Sequence, residues 1–305
     1  MKKIIPEDIE NILGFKISDE LANRVNSYNL VYEDLTKEER DQYLLRFVDV
    51  LTSDIVVSGK HRIAEWEKGW GENLESFKTS KDISLLIPKY HGKNRLVRWK
   101  GEVIKPLVDN FDYKIHVCFV DAILEHYIGS DITDVYEFGC GPAYHLIRLS
   151  QKNKWNLHGS DWTNASQELI KEINKTLDLN IDGFNFNFFE PDYSINMSNS
   201  SAIYTVAALE QIGSNYEAFV EFILDKKPSI CIHMEPIDEL LDETKLMDYL
   251  SIKYFRKRNY LQKFLPYLEQ LEKDNKIEII KKQRIYNGSF FIEGHSLIVW
   301  KPKNI

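Results

Sequence analysis

The chain has 305 residues, 43% hydrophobic, 12% aromatic and 28% charged, a balance that excludes wholesale disorder and supplies core for one extended α/β domain or two small ones. Its formal net charge of −8 argues against a general nucleic-acid binder, whose affinity needs clustered Lys and Arg. Three scattered cysteines, Cys118, Cys140 and Cys231, fit neither a disulfide framework nor a Cys-x-x-Cys metal site and suit a reducing, cytoplasmic setting, while the early acidic residues Glu7 and Asp8 lead us to expect no secretory leader and no apolar run reaches the ~18 residues that span a bilayer.

In chain order, residues 1 to about 125 read as helical and irregular, with no strands alternating with helices. Thr36-Lys37-Glu38-Glu39 is a capping box, and Tyr43, Leu44, Phe47, Val48 and Leu51 follow at helical spacing, so a helix is expected over 37–52. Arg62, Trp66, Trp70 and Tyr90 then stand among glycines, either lining a substrate pocket or packing an N-terminal cap onto the rest. Beyond residue 115 short β-rich runs alternate with amphipathic ones, the pattern of a Rossmann-like α/β sheet. Strands are expected at 134–138, 155–159, 184–189, 202–206, 229–234, 277–286 and 296–301, and helices at about 142–152, 164–178, 214–226 and 243–274, the last broken at Pro266. Asn287-Gly288 predicts the tight turn of a C-terminal antiparallel hairpin. The expected organisation is a mainly helical N-terminal cap over 1–114, shaping the substrate site, and an α/β domain with a seven-stranded, mostly parallel sheet over 115–305.

The chemistry concentrates at Glu137-Phe138-Gly139-Cys140-Gly141-Pro142-Ala143-Tyr144-His145, a strand entering a glycine turn and then a helix. Glycines there let the backbone turn tightly and approach a ligand. Twenty residues past Gly141 comes Asp161-Trp162, an acid placed to hold two ribose hydroxyls beside a ring suited to one face of an adenine. A nicotinamide fingerprint wants Gly or Ala at the position of Tyr144, which is too bulky for a pyrophosphate to cross.

What remains, Glu-x-Gly-x-Gly-x-Ala, resembles motif I of the class I S-adenosylmethionine-dependent methyltransferases, and the resemblance covers about residues 115–302. It implies S-adenosylmethionine as cofactor, held by Glu137, Gly139, Cys140, Gly141, Ala143, His145, Asp161, Trp162, Asp192 and Ala207, with Glu137 orienting the ligand's amino group. Ala207-Ala208-Leu209-Glu210-Gln211-Ile212 resembles the family's turn after strand four, and Met234-Glu235-Pro236 the end of strand five. Ala143 replaces the usual third glycine and fits provided its backbone angle is negative. The chain also resembles bacterial sugar O-methyltransferases, which implies a small polar acceptor, a sugar or sugar-nucleotide hydroxyl, with Arg62, Trp66, Trp70 and Tyr90 gripping it.

Methyl transfer is an in-line displacement in which a base assists a hydroxyl acceptor, and the strand ends offer His233 first, with Glu210 and Glu235 beside it. A histidine buried in strand five and bonded to its neighbours is the structural alternative for His233. Glu210, Glu235 and Asp192 would supply hard ligands to a divalent cation, but nothing fixes their distances and no metal is assigned. His61, His91, His116, His126, His158 and His295 show no ligand spacing and default to structural roles. The run Lys253, Arg256, Lys257 and Arg258 either steers an anionic acceptor or forms a solvated helix face. An N-methyltransferase, a non-catalytic binding protein of the same fold and a nicotinamide dehydrogenase stay open as rivals.

Overall fold

The computed structural model describes residues 1–89, 91–92, 96–152 and 154–303. Seven strands form the central sheet: β1 (Asp134–Phe138), β2 (Asn156–Asp161), β3 (Ile181–Asn185), β4 (Ser201–Val206), β5 (Ile230–Glu235), β6 (Ile277–Arg284) and β7 (Ser296–Pro302). Their order is β6-β7-β5-β4-β1-β2-β3, and β7 alone runs antiparallel to its neighbours. The central strands β1, β4 and β5 are nearly continuous apolar runs because helices cover both faces, whereas β3, at an edge, exposes Asp182 and Gly183. That polar edge is why the apolar run 184–189 is a poor guide to β3, which ends at Asn185.

The strand order reverses direction between β1 and β4, so the connections leave a crevice at their carboxyl ends. Below it, Phe138, Phe186, Phe219 and Phe222 form an aromatic core, with Phe138 and Phe186 rings 4.6 Å apart. Helix Asn164–Leu177 is capped by Thr163 and follows β2, and helix Glu217–Lys226 links β4 to β5.

The N-terminal region is mainly helical, with helices Pro6–Leu13, Asp19–Tyr28, Lys37–Thr52 and Ile63–Ser80. The capping box at Thr36 forms as expected, with Thr36 Oγ1 accepting from the Glu39 amide at 3.1 Å and Glu39 Oε2 accepting from the Thr36 amide at 2.9 Å. This region also carries strands that the sequence did not suggest: Lys2–Lys3, Val31–Asp34, Val97–Trp99 and Glu102–Pro106 join an antiparallel sheet. Its fifth strand is Asn287–Gly288, paired with Trp99 and Arg98. The turn expected at Asn287-Gly288 is therefore absent. β6 and β7 are joined instead by the longer connector 285–295, and a Cβ at Gly288 would lie 2.0 Å from the Ile292 carbonyl oxygen, so the glycine serves a close backbone approach.

Pro266 does not break the last helical region either. The chain stops at Asn259 in the left-handed region, φ 52, and restarts at Phe264; Pro266 sits in the first turn of helix Phe264–Lys273, where its missing amide hydrogen leaves no gap. The basic run on helix Leu246–Arg258 is divided: Lys253 and Arg256 are exposed, as a solvated face requires, while Lys257 and Arg258 donate to backbone carbonyls. Arg256 pairs with Asp238 and Glu243, whereas Lys257 bonds the Leu51 and Ser53 carbonyls and Arg258 the Val56 carbonyl, stapling the 51–58 segment to this helix.

Candidate functional site

A cavity of about 410 Å³ opens over the carboxyl ends of β1, β2 and β4, within the range of small-ligand sites. Glu137, Gly139, Cys140, Gly141, His145, Asp161, Trp162, Ala207 and Glu210 line it, as do Arg62, Trp66 and Trp70 from the N-terminal region. Tyr90 lies outside the described residues.

The turn after β1 explains its glycines. Gly139 and Gly141 have φ of 79 and 50, and an added Cβ would stand 2.4 Å from the Ala208 Cβ and 2.8 Å from the Trp70 ring respectively. The Gly139 and Cys140 amides donate to the Ser160 carbonyl at 2.7 and 2.8 Å, and the Gly141 amide donates to Asp161 Oδ2 at 3.2 Å. Ala143 is also left-handed, φ 58, so the proviso of a negative angle fails. Fully buried as the cap of helix Tyr144–Ser150, it lies behind the cavity and does not line it. Asp192 is exposed on the loop after β3, accepting from the Ser194 amide at 2.8 Å, and does not line the cavity.

Besides Asp112 on the far wall, three buried carboxyls line this space, and none of the three forms an ion pair with a cationic side chain among the described residues. Glu137 accepts from the Tyr204 hydroxyl at 2.9 Å, and burial pushes its pKa up to about 8. Asp161 accepts from the Thr163 hydroxyl and amide at 2.8 and 3.0 Å; burial outweighs these bonds and raises it to about 6. Glu210 accepts from Gln211 Nε2 at 2.8 Å, and burial, with the Glu235 charge next, raises it to about 8. Each gains from a positively charged ligand.

His233 and Glu235 share one face of β5, turned from the cavity. His233 Nδ1 lies 3.0 Å from Thr205 Oγ1, its ring packs edge-on to Phe264 and alongside Trp300, and burial lowers its pKa to about 3. The structural alternative for His233 describes its place. Glu235 caps the short helical turn Leu209–Ile212, accepting from the Ala208, Leu209 and Glu210 amides at 3.0, 3.1 and 3.2 Å. Of the three expected catalytic groups, only Glu210 reaches the cavity. Among the described residues no group of three His, Cys, Asp or Glu side chains is placed to hold a metal ion.

The N-terminal helix Ile63–Ser80 covers the turn. Trp66 and Trp70 stack with ring centres 5.4 Å apart, and the Arg62 guanidinium lies 5.4 Å over Trp66. Glu67 anchors this helix by accepting from the Asn164 and Ala165 amides at 2.8 Å each, at the start of the helix after β2. Trp162, Phe186 and Phe188 add aromatic rings to the cavity lining.

Sequence reasoning missed the opposite wall. His91, Asp112, His116, Tyr144 and His295 line it beside His145, and the connector 285–295 roofs it. The residues come from distant segments, so no spacing announced them.

The chain matches no family model and no curated protein. Among solved structures it is similar to a magnesium protoporphyrin IX methyltransferase from Synechocystis PCC 6803 with bound SAH, at 15% identity and TM-score 0.47 over 63% of this chain and 86% of that one. It is likewise similar to an O-methyltransferase of neocarzinostatin biosynthesis, in complex with S-adenosyl-L-homocysteine and 1,4-dihydroxy-2-naphthoic acid, at 13% identity and TM-score 0.45 over 63% and 57%. The small RNA methyltransferase HEN1 is similar at 16% identity and TM-score 0.45, over 61% of this chain and 25% of that one. No helix among the described residues is long and apolar enough to cross a membrane.

Proposed function

We propose that the chain is an S-adenosylmethionine-dependent methyltransferase acting on a small polar acceptor, a hydroxyl of a sugar or sugar nucleotide. The observation that carries this reading is the set of three buried carboxyls, Glu137, Asp161 and Glu210, around a turn whose glycines are packed closely by Ala208 and Trp70. A dinucleotide would bring a pyrophosphate against these acids, whereas a ligand with a sulfonium and an ammonium relieves their burial.

When bound, the cofactor supplies an activated methyl group on sulfur. Glu137, held by Tyr204, would hold the ammonium; Asp161 would offer its remaining lone pairs to the ribose hydroxyls; Trp162, Phe186 and Phe188 would enclose the base. Trp70 and the helix that bears it keep water off the turn. Glu210, in the short helical turn after β4, would take the acceptor's proton as the new bond to oxygen forms, and a nearby positive charge would draw its raised pKa back toward the carboxylate form. The paired indoles with Arg62 suit the apolar face and hydroxyl rim of a sugar ring.

Calorimetry with S-adenosylmethionine tests the first part: binding is expected, lost in Asp161→Ala and weakened in Glu137→Gln. Absence of heat with wild type sinks the reading. Incubation with labelled cofactor against sugar nucleotides, phosphorylated sugars and small amines, read by mass shift, tests the acceptor. Labelling of amines alone would replace the hydroxyl acceptor with nitrogen.

A further inference from the structure

Four imidazoles converge on one wall of the cavity. The His116 ring centre is 4.6 Å from that of His295, 5.3 Å from His91 and 5.4 Å from His145. They come from the segment before helix Phe111–Tyr127 (His91), from that helix (His116), from the first turn of helix Tyr144–Ser150 (His145) and from the connector (His295). His116 Nε2 stands 3.2 Å from the Tyr144 hydroxyl, and His91 Nδ1 3.3 Å from Asp112 Oδ2. His145 is only 3% exposed, yet neither of its ring nitrogens has a hydrogen-bond partner, and both nitrogens of His295 are buried and unpartnered as well. Four open polar atoms on a cavity wall require a ligand to satisfy them.

The charges around the wall decide which ligand. Asp112 is the carboxylate lining this wall, and it is engaged by His91 and the Gly92 amide. Arg148, on the helix that carries His145, pairs with Asp121, which also holds Arg24. Tyr113 and Tyr144 are further titratable neighbours among the described residues, ring to ring at 6.0 Å. Unlike the carboxyl-lined end near Glu137, this end presents nitrogen donors. We infer that the imidazole wall is a binding subsite for an anionic group, a carboxylate or phosphate, carried into the cavity by its ligand. Each neutral imidazole offers one N–H, and an anion accepts several at once. Burial and the mutual proximity of the rings hold His116 and His145 neutral, and His295 is lowered to about 3; an anion removes that penalty and draws a proton onto the cluster. This rests on the cofactor reading above, and the anion has two sources: the cofactor's own α-carboxylate or a charged group on the acceptor.

Nitrogen-15 imidazole spectra of the full-length protein, labelled at histidine, test it across pH 5 to 8. Spectra are taken of the free protein, with S-adenosylhomocysteine, with 5′-methylthioadenosine, which lacks the amino-acid part, and with S-adenosylhomocysteine plus inorganic phosphate; His295→Gln and His145→Gln assign the signals. The expected result is that wall signals move toward imidazolium, with apparent pKa raised by about one unit or more. Movement with S-adenosylhomocysteine but not methylthioadenosine makes the cofactor carboxylate the anion. Movement only on adding phosphate makes it the acceptor's. If S-adenosylhomocysteine binds while the wall stays neutral in every state, the inference is overturned and hydroxyls are the partners. If phosphate moves the wall but the adenosyl compounds do not bind, the cofactor reading falls and the subsite stands.

Discussion

Loss of Arg284 should damage the molecule severely. At the end of β6 it bonds Asp248 at 2.7 and 2.8 Å and Glu293 at 2.8 and 2.7 Å, tying helix Leu246–Arg258 to the connector that roofs the cavity. The two carboxylate side chains are 3% and 1% exposed, so water cannot replace the guanidinium, and the ~0–1 kcal/mol typical of surface pairs does not apply. Arg284→Met strips four charge-assisted bonds and leaves two buried acids facing each other. Breaking a buried pair costs about 3–5 kcal/mol, and two stranded partners put this variant at the upper end. Arg284→Lys should recover less than half, since an ammonium cannot fork to both acids. Urea unfolding measures the loss, and limited proteolysis within 285–295 reports whether the roof loosens. A variant within about 1 kcal/mol of wild type, with the connector still protected, would refute the reasoning.

Three further outcomes follow from the site. Free protein should melt at lower temperature as pH rises from about 6.5 to 8, because Glu137 and Glu210, raised from 4.5 to about 8, stay protonated in the fold while the unfolded chain has already ionised them; below that window His233 and His295, lowered from 6.5 to about 3, pull stability the other way. Stabilisation by S-adenosylmethionine should grow from about pH 6.5 to 8, and a flat melting profile there by scanning calorimetry would contradict it. Gly139→Ala forces a methyl to 2.4 Å from Ala208 at φ 79, so cofactor heat should vanish and stability fall by roughly 2 kcal/mol in denaturant titration. His233→Phe should lose about 1 kcal/mol with its Thr205 bond yet leave the methyl-transfer rate near wild type; a hundredfold slower reaction would restore His233 as a base.

The features legible in the sequence are the local ones. β1, its glycine turn and Asp161 follow from one short stretch of chain, and the alternation beyond residue 115 gave the sheet because each helix and strand carries its own periodicity. What depended on partners far away in sequence was misread. Asn287-Gly288 has the composition of a turn, but Trp99 and Arg98 offer it a strand to pair with. His233 sits one strand parity away from the cavity, which no pattern of alternating burial reveals when both faces of β5 are covered. Ala143 adopts a glycine-like angle in a fully buried position, which its own identity as alanine does not announce. The imidazole wall required folding to exist at all.

The pairing of residues 287 and 288 with 98 and 99 bears on how the chain is made. On the ribosome, the amino-terminal sheet waits for its last strand until almost the whole polypeptide has emerged, and until then the row of amides and carbonyls at Val97–Trp99 is open to any passing extended segment. A fragment ending near residue 114 should therefore be sticky and poorly soluble, however well its helices form, and synthesis in halves should succeed only when both halves are present together.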